Sequence, residues 1–315
     1  GKIKDRGAAS CPSVMNSRLW LVVLMLAGFS TSQASEPLIA TEQQKIRVRT
    51  VASGLEHPWS VAFLPDGRFL VSERPGRLRV ISAEGVVSAA PVAGLPRVHS
   101  AGQGGLLDIV LHPKFAQNQW VYLSYSGGDA SGASTEVARG RWVSDSQGGR
   151  LENLEVIYRQ HPRSKAGVHF GSRLVFDRAG YLYITQGDRG DKDRAQRLDD
   201  LAGKTVRLND DGSIPSGNPF RSTTGAQPEI FSLGNRSMQG AALHPKTGEL
   251  WTHEHGPQGG DEINVIRPGR NYGWPVITYG VNYGIGTKIG VGTQQAGMEQ
   301  PLHQWTPSIA PSGMA

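Results

Sequence analysis

Ser172-Arg-Leu-Val-Phe-Asp-Arg-Ala-Gly-Tyr-Leu-Tyr-Ile-Thr185 reads as two short strands joined by a tight turn. Apolar and polar residues alternate on either side of Arg-Ala-Gly180, the period-2 signature of a strand with two different faces. The turn triplet ends in glycine, which reverses a hairpin without steric penalty. The phrase recurs along the chain. It appears first as Ser60-Val-Ala-Phe-Leu-Pro-Asp-Gly-Arg-Phe-Leu-Val-Ser-Glu73. Next come Leu107-Asp-Ile-Val-Leu-His-Pro-Lys-Phe115 and Trp120-Val-Tyr-Leu-Ser-Tyr125. Gly240-Ala-Ala-Leu-His-Pro-Lys-Thr-Gly-Glu-Leu-Trp-Thr252 is a further copy, and Ile309-Ala-Pro-Ser-Gly-Met-Ala315 reads as the opening of a fifth. The units begin about 45 to 70 residues apart. Repetition of whole strand–turn–strand phrases at such a period predicts an all-β propeller of four-stranded blades. A β-sandwich also has regular turns, but not recurring phrases. The one stretch with helical character is Asp193 to Leu208.

The composition agrees. The chain has 315 residues, 38% hydrophobic and 19% charged, which excludes a disordered polymer. Its 41 glycines follow no G-x-y period, which excludes collagen and leaves a turn-rich globular protein. The single Cys11 excludes a disulfide framework and any multi-cysteine metal site.

The amino-terminal region reads differently. Met15 opens a short polar stretch with Arg18, the run Leu19 to Phe29 is apolar, and Ser32-Gln33-Ala34 presents small residues at the two cleavage-site positions. Residues 15–34 are expected to be a secretory signal peptide, too short to span a bilayer. Residues 1–14 are expected to be upstream translated sequence, and 35–315 the propeller domain. Residues 1–34 contribute +3 of the total +6 charge, so the remainder carries only +3 and has no basic run. Nucleic-acid binding therefore has no support. An exported, cysteine-free domain is expected in a bacterial periplasm.

In a propeller the loops that enter the inner strands gather at the channel mouth. Gln103 lies in Ala-Gly-Gln-Gly-Gly105, just before the second unit, and His169 in Gly-Val-His-Phe-Gly171, at the entry to the third. Asp188 ends the same hairpin, where antiparallel return brings it back toward His169 and suits it to fix the imidazole tautomer. Arg236 stands at the matching entry to the fourth unit, followed by Ser237. The segment His253-Glu-His-Gly-Pro-Gln-Gly-Gly-Asp-Glu-Ile-Asn264 is the densest in ligating groups. His253 and His255 suggest zinc, but without the helical H-E-x-x-H spacing or a third ligand. Exposed carbonyls at Gly256-Pro257, with Asp261 and Glu262, suit calcium better.

Taken in order, Gly102-Gln-Gly-Gly-Leu-Leu107, His169-Phe-Gly-Ser-Arg-Leu-Val-Phe176, Gln186-Gly-Asp188, Leu233-Gly-Asn-Arg236, Glu254-His-Gly-Pro257, Gly260-Asp-Glu-Ile-Asn-Val-Ile266 and Asn271-Tyr-Gly-Trp274 resemble the soluble PQQ-dependent sugar dehydrogenases. The resemblance is to the periplasmic aldose sugar dehydrogenase branch in particular, and it runs from about residue 46 to 315. It implies a six-bladed propeller holding pyrroloquinoline quinone (PQQ) and calcium at the channel mouth. By the same resemblance His169 is the general base and Asp188 its partner. Gln103, Arg236 and Ser237 contact the cofactor, Gly256 and Pro257 hold calcium beside the quinone, and Glu262 and Tyr272 ligate a second, structural calcium. The implied partners are an aldose sugar and an unidentified electron acceptor, with a homodimer compatible. It also implies further blades and basic cofactor contacts beyond Ala315, so the chain is expected to be a C-terminally truncated propeller of four blades and the start of a fifth. The alternatives are a calcium-dependent lactonase on the same fold and a non-catalytic binding propeller.

Overall fold

The structure is a computed structural model that describes residues 37–315. The expected signal peptide and Cys11 lie outside the described residues. Two compact units divide the chain at Thr50 and Val51. The first contains a small antiparallel hairpin, β1 (Leu38–Ala40) with β2 (Lys45–Arg47).

The second unit is a propeller-like array of four antiparallel meanders. Blade 1 is β3 (Pro58–Phe63), β4 (Phe69–Glu73) and β5 (Arg77–Ile81). Blade 2 is β6 (Leu106–Leu111), β7 (Trp120–Asp129), β8 (Gly132–Val143) and β9 (Arg150–Arg159), with one helical turn, α1 (Phe115–Asn118), between its first two strands. Blade 3 is β10 (Gly171–Phe176), β11 (Leu182–Gln186), β12 (Lys204–Leu208) and β13 (Ile230–Leu233). Blade 4 is β14 (Met238–Leu243), β15 (Leu250–Glu254), β16 (Asp261–Ile266) and β17 (His303–Trp305). Each repeated phrase forms the first two strands of a blade. The first strands β3, β6, β10 and β14 are successive neighbours, as inner strands of a propeller should be. Six blades are implied by the resemblance; four are present among the described residues.

Alternation along the strands explains how one blade serves two cores, because successive side chains point to opposite faces. In β7, Val121 and Leu123 join Leu70, Leu78 and Val80 of blade 1. Tyr122, between them, joins Leu174, Leu182 and Ile184 of blade 3. In β11 the pattern repeats: Leu182 and Ile184 face blade 2, whereas Tyr183 packs with Phe231 and the blade 4 residues Ala241 and Leu250. The cores thus lie between blades. Val61 and Phe63, on the other face of β3 from Ala62, are 48% and 68% exposed.

A hydroxyl also joins each blade to the next. Each inner strand has a register irregularity near its start, which frees a backbone N–H. The Ser60 amide donates to Ser72 Oγ at 3.0 Å, and that hydroxyl donates to the Leu107 carbonyl of blade 2 at 2.6 Å. Ser124 accepts from the Asp108 amide at 2.9 Å and donates to the Ser172 carbonyl of blade 3 at 2.6 Å. Thr185 accepts from the Arg173 amide at 2.9 Å and donates to the Met238 carbonyl of blade 4 at 3.1 Å. In blade 4 the matching position is His253, opposite Gly240, because the turn of that hairpin is one residue longer; the neighbouring Thr252 is fully buried, and its hydroxyl has no hydrogen-bond partner among the described residues.

Two expectations are corrected. Asp193–Leu208 is not a helix. It holds a single 3-10 turn, Lys192–Gln196, then a turn through Gly203 at φ +67°, then β12. Thr205 and Val206 are β-branched and pair with strands on both sides, and this tertiary pairing overrides the charged local pattern. Residues 309–315 form no strand; their backbone is tied instead to Asp261, which accepts from the Ile309 and Ala310 amides at 2.8 and 2.7 Å.

Candidate active site

The loops before β6, β10 and β14 converge at one end of the blades. His169 Nδ1 lies 2.6 Å from Asp188 Oδ1, and Asp188 is almost fully buried. Two backbone features make this approach possible. His169 sits at φ +54°, a left-handed conformation that costs a non-glycine residue roughly 1–3 kcal/mol and so needs strong surroundings to hold it. Gly187 is the other: a Cβ there would lie 1.9 Å from the His169 carbonyl oxygen, so no larger residue admits this contact. Asp188 Oδ1 also accepts from the Gly190 amide at 2.9 Å. Its second oxygen, Oδ2, accepts from the Trp274 indole Nε1–H at 2.8 Å. The carboxylate is thereby held by three donors from three directions, which fixes the imidazole in the tautomer with its proton on Nδ1.

Gln103 touches His169 as well. Its Oε1 accepts from the His169 amide at 2.9 Å, while its own amide donates to the Gly167 carbonyl at 2.7 Å. Arg236 reaches across from blade 4. Its Nη1 donates to the His255 and Gly256 carbonyls at 3.1 and 2.8 Å, and its own carbonyl accepts from the Asp188 amide at 2.7 Å. Ser237, buried beside it, accepts at Oγ from Gln239 at 3.3 Å.

Gln103, His169, Arg236, Ser237 and Gly256 line one cavity of about 530 Å³, together with Trp59, Arg74 and His255. A second cavity of about 370 Å³ shares His169 and Arg236 and adds Asp188, Asp191, Lys192, Pro257, Trp274 and Asn282. The structure therefore gathers seven of the nine expected site residues at one mouth. Glu262 and Tyr272 lie apart, around a small gap that also contains Arg236, Glu254 and Thr278.

In that gap Glu254 and Glu262 face each other across adjacent strands. Burial pushes Glu254 up to about 7. Burial, and then the neighbouring Glu254, push Glu262 up to about 8. Asn264 Nδ2 donates to both carboxyls, at 3.1 and 3.3 Å. The Tyr272 hydroxyl is engaged elsewhere, donating to the Val265 carbonyl at 2.5 Å and accepting from the Arg267 amide at 2.8 Å. Only its main-chain oxygen is left to serve a cation. Asp261 is also engaged. Burial raises its pKa, but bonds from Ser308 Oγ and from the Ala310, Gly256 and Ile309 amides prevail and hold it below the usual carboxylate range.

The zinc alternative finds no cluster. His253 is buried opposite Gly240, neither ring nitrogen has a well-formed hydrogen bond among the described residues, and burial pushes its pKa down. His255 Nε2 lies 2.5 Å from the Pro311 carbonyl. Among the described residues no three His, Cys, Asp or Glu side chains are grouped to hold a metal ion.

Trp274, Arg74, Trp59 and Glu254 had no role in the sequence reading. Trp274 and Glu254 stood inside quoted motifs, but only the folded geometry shows that one donates to Asp188 and the other faces Glu262. Arg74 and Trp59 come from blade 1, far away in sequence, where no local signal marks them.

Residues 55–315 match the profile of the family described as Glucose / Sorbosone dehydrogenase. Aldose sugar dehydrogenase YliI of Escherichia coli strain K12 is 47% identical over 274 residues, covering 86% of this chain and 73% of the relative. The crystal structure of the soluble aldose sugar dehydrogenase from Escherichia coli in the apo-form superposes with a TM-score of 0.79 at 47% identity, covering 82% of this chain and 75% of that one. The PQQ-bound form of aldose sugar dehydrogenase from Streptomyces coelicolor gives a TM-score of 0.70 at 33% identity, covering 84% and 73%. With the repeated blades, the His169–Asp188 pair and this match in agreement, the chain belongs to the Glucose / Sorbosone dehydrogenase family.

Proposed function

We propose that the protein oxidises aldose sugars at C1 to the lactone, using PQQ and calcium, with His169 as general base. The observation that carries this reading is the His169–Asp188 contact at the wall shared by the two cavities.

The residues fit the quinone. The larger cavity presents the guanidiniums of Arg74 and Arg236 to an anionic ligand, the amide of Gln103 and hydroxyl of Ser237 to its polar edge, and the indole of Trp59 to a planar ring. They also fit calcium. Glu254 and Glu262 are opposed carboxyls that a hard divalent cation would relieve. The Gly256 carbonyl already receives a cationic donor, Arg236, on one of its two lone pairs. Gly256 and Pro257 would hold the ion beside the quinone; Glu262 and the Tyr272 carbonyl would hold the second. When bound, PQQ supplies a two-electron acceptor whose C5 takes the hydride from the sugar's C1, and calcium supplies Lewis acidity at the C5 carbonyl.

The chain's own residues do the rest. Asp188 keeps the proton on His169 Nδ1, which leaves Nε2 a lone pair for the sugar's C1 hydroxyl proton. As that proton arrives, the Asp188 charge stabilises the imidazolium, and Trp274 keeps the carboxylate from rotating away. Arg236 is placed to stabilise negative charge developing on an oxygen in the cavity. Arg236 and His169 lie on the boundary between the two cavities, so ligands in both are brought against the same pair. The same reading puts the working protein in a periplasm.

His169→Ala tests this. Sugar oxidation followed with a redox dye should fall by about 10² to 10⁴, the usual cost of a lost general base. PQQ binding, read from its absorbance, should persist. Near-normal turnover at neutral pH defeats the assignment. PQQ-independent lactone hydrolysis would favour the lactonase alternative.

A further inference from the structure

Arg189, the residue after Asp188, has no part in the chemistry above, yet it is one of the most deeply buried large side chains, 1% exposed. Its guanidinium donates to main-chain oxygens: Nε to Val168 at 3.0 Å, Nη1 to Ala133 at 2.8 Å, and Nη2 to Ala166. Among the described residues no carboxylate pairs with it. The guanidinium carbon Cζ lies 3.8 Å from the centre of the Phe170 ring. Burial pushes its pKa down to about 10, so it remains a cation at neutral pH.

A buried cation without a counter-ion is costly, and an apolar residue of similar volume would fill the space at less expense. The feature calls for a task that needs several directed donors. The contacts indicate the task. Ala166 and Val168 precede His169 and Phe170 follows it, so Arg189 grips the imidazole-bearing segment on both sides. The third bond anchors that grip to β8 of blade 2. Arg189 itself sits at φ +58° and His169 at φ +54°, two left-handed residues on facing segments that only firm surroundings keep in place.

We propose that Arg189 is the positioning residue of the His169–Asp188 pair, clamping the segment that carries the imidazole to the turn that carries its carboxylate, so that the imidazole is held in a single tautomer with Nε2 left for substrate. This deepens the functional reading and rests on it for its purpose, but its test does not depend on turnover.

The test uses the full chain without cofactor, labelled with ¹⁵N in the histidine rings, with the His169 signals identified by their loss in His169→Gln. The wild type should show one protonated Nδ1 and one bare Nε2. Arg189→Lys keeps the charge but has no fork to reach three carbonyls, and Arg189→Met removes the charge at similar length. In both, a cooperative melt should persist while the two ring-nitrogen signals of His169 move toward a common averaged position. With PQQ and calcium added, kcat should fall by about 10²-fold, the scale of a misplacement of about 1 Å, while KM for the sugar moves less than about threefold. A folded variant of either kind with unchanged His169 ring signals overturns the proposal. Should neither variant fold, the wild type decides. A clamped Arg189 gives separate, slowly exchanging Nη protons with cross-peaks to residues 166–168, and a single averaged Nη signal overturns the clamp. If His169→Ala leaves sugar oxidation intact, the functional reading fails, and the clamp is still judged on the ring signals alone.

Discussion

Replacing Thr185 by valine removes one hydroxyl and keeps the branched shape that β11 packs. That hydroxyl links two buried main-chain groups, the Arg173 amide at 2.9 Å and the Met238 carbonyl at 3.1 Å. Thr185 is 1% exposed, so water does not replace either bond without local opening. Each buried group left unsatisfied costs about 1–3 kcal/mol, which gives roughly 2–6 kcal/mol for the pair. For a body of this size that corresponds to a drop of about 4–15 °C in melting temperature, or more at the upper limit. Thr252→Val is the matched control. Its hydroxyl is equally buried in the corresponding strand β15, one residue before the joint position, but bonds to no described residue, so its loss should cost less than about 1 kcal/mol and can stabilise the fold, because an unpaired buried hydroxyl is removed. Urea unfolding of the two variants beside wild type reads the difference directly. Equal losses at the two positions, or a loss below about 1 kcal/mol at Thr185, would refute the argument that the hydroxyls join the blades.

Trp274→Phe removes the indole donor to Asp188 Oδ2; a hydrogen bond to a charged group is worth about 1.5–3 kcal/mol, so dye-linked sugar oxidation should fall roughly 10- to 150-fold while PQQ still binds. Unchanged turnover would show that Asp188 needs no second support. Gly187→Ala should separate residues 169 and 188, because the added carbon collides with the His169 carbonyl; the variant is expected to lose the single Nδ1–H tautomer in the ring-nitrogen spectrum. In calcium-free protein, stability should fall as pH rises from about 5 to 8. Folded Glu254 and Glu262 hold protons up to about 7 and 8, whereas the unfolded chain releases them near 4.5, so raising pH favours unfolding. Glu262→Gln should flatten this slope, and a melting temperature that rises with pH in EGTA contradicts it. After EGTA treatment calcium should restore activity and zinc should not; the reverse would make His253 and His255 the ligands.

The fold was legible because its information is local and repeated. Each strand–turn–strand phrase carries its own alternation, three of them turn on a glycine, and all four became the first two strands of a blade. Ser72, Ser124 and Thr185 were also visible, one hydroxyl residue at the same place in three of the phrases, but their partners lie a blade away and the pattern alone does not name a carbonyl. His169 and Asp188 could be paired on paper because a hairpin brings its ends together. Trp274 could not, since its bond to Asp188 spans 86 positions and depends on the approach of the loop after blade 4's third strand. Asp193–Leu208 misled because its charges and short apolar residues fit a helix locally, and only pairing on both sides makes Lys204–Leu208 a strand. Tyr272 was named by the resemblance alone, and the sequence does not tell that its phenol is engaged within its own loop.

The convergence of Gln103, His169 and Arg236 has a consequence for how such a protein can change. The three residues come from successive units, each in the loop just before its blade's inner strand. That slot is generic, because the hydroxyl joints and the cores between blades lie deeper in the strands and are indifferent to what the loop carries. Copying a blade within a gene would therefore copy an empty socket at the mouth along with the joint that seats it. Substitutions in the socket can then trade a base for a guanidinium or an amide while the joint keeps the copy in place. Chemistry on this scaffold is divided among units that are otherwise interchangeable, so a new activity requires a few changes at the ends of strands and none in the strands themselves.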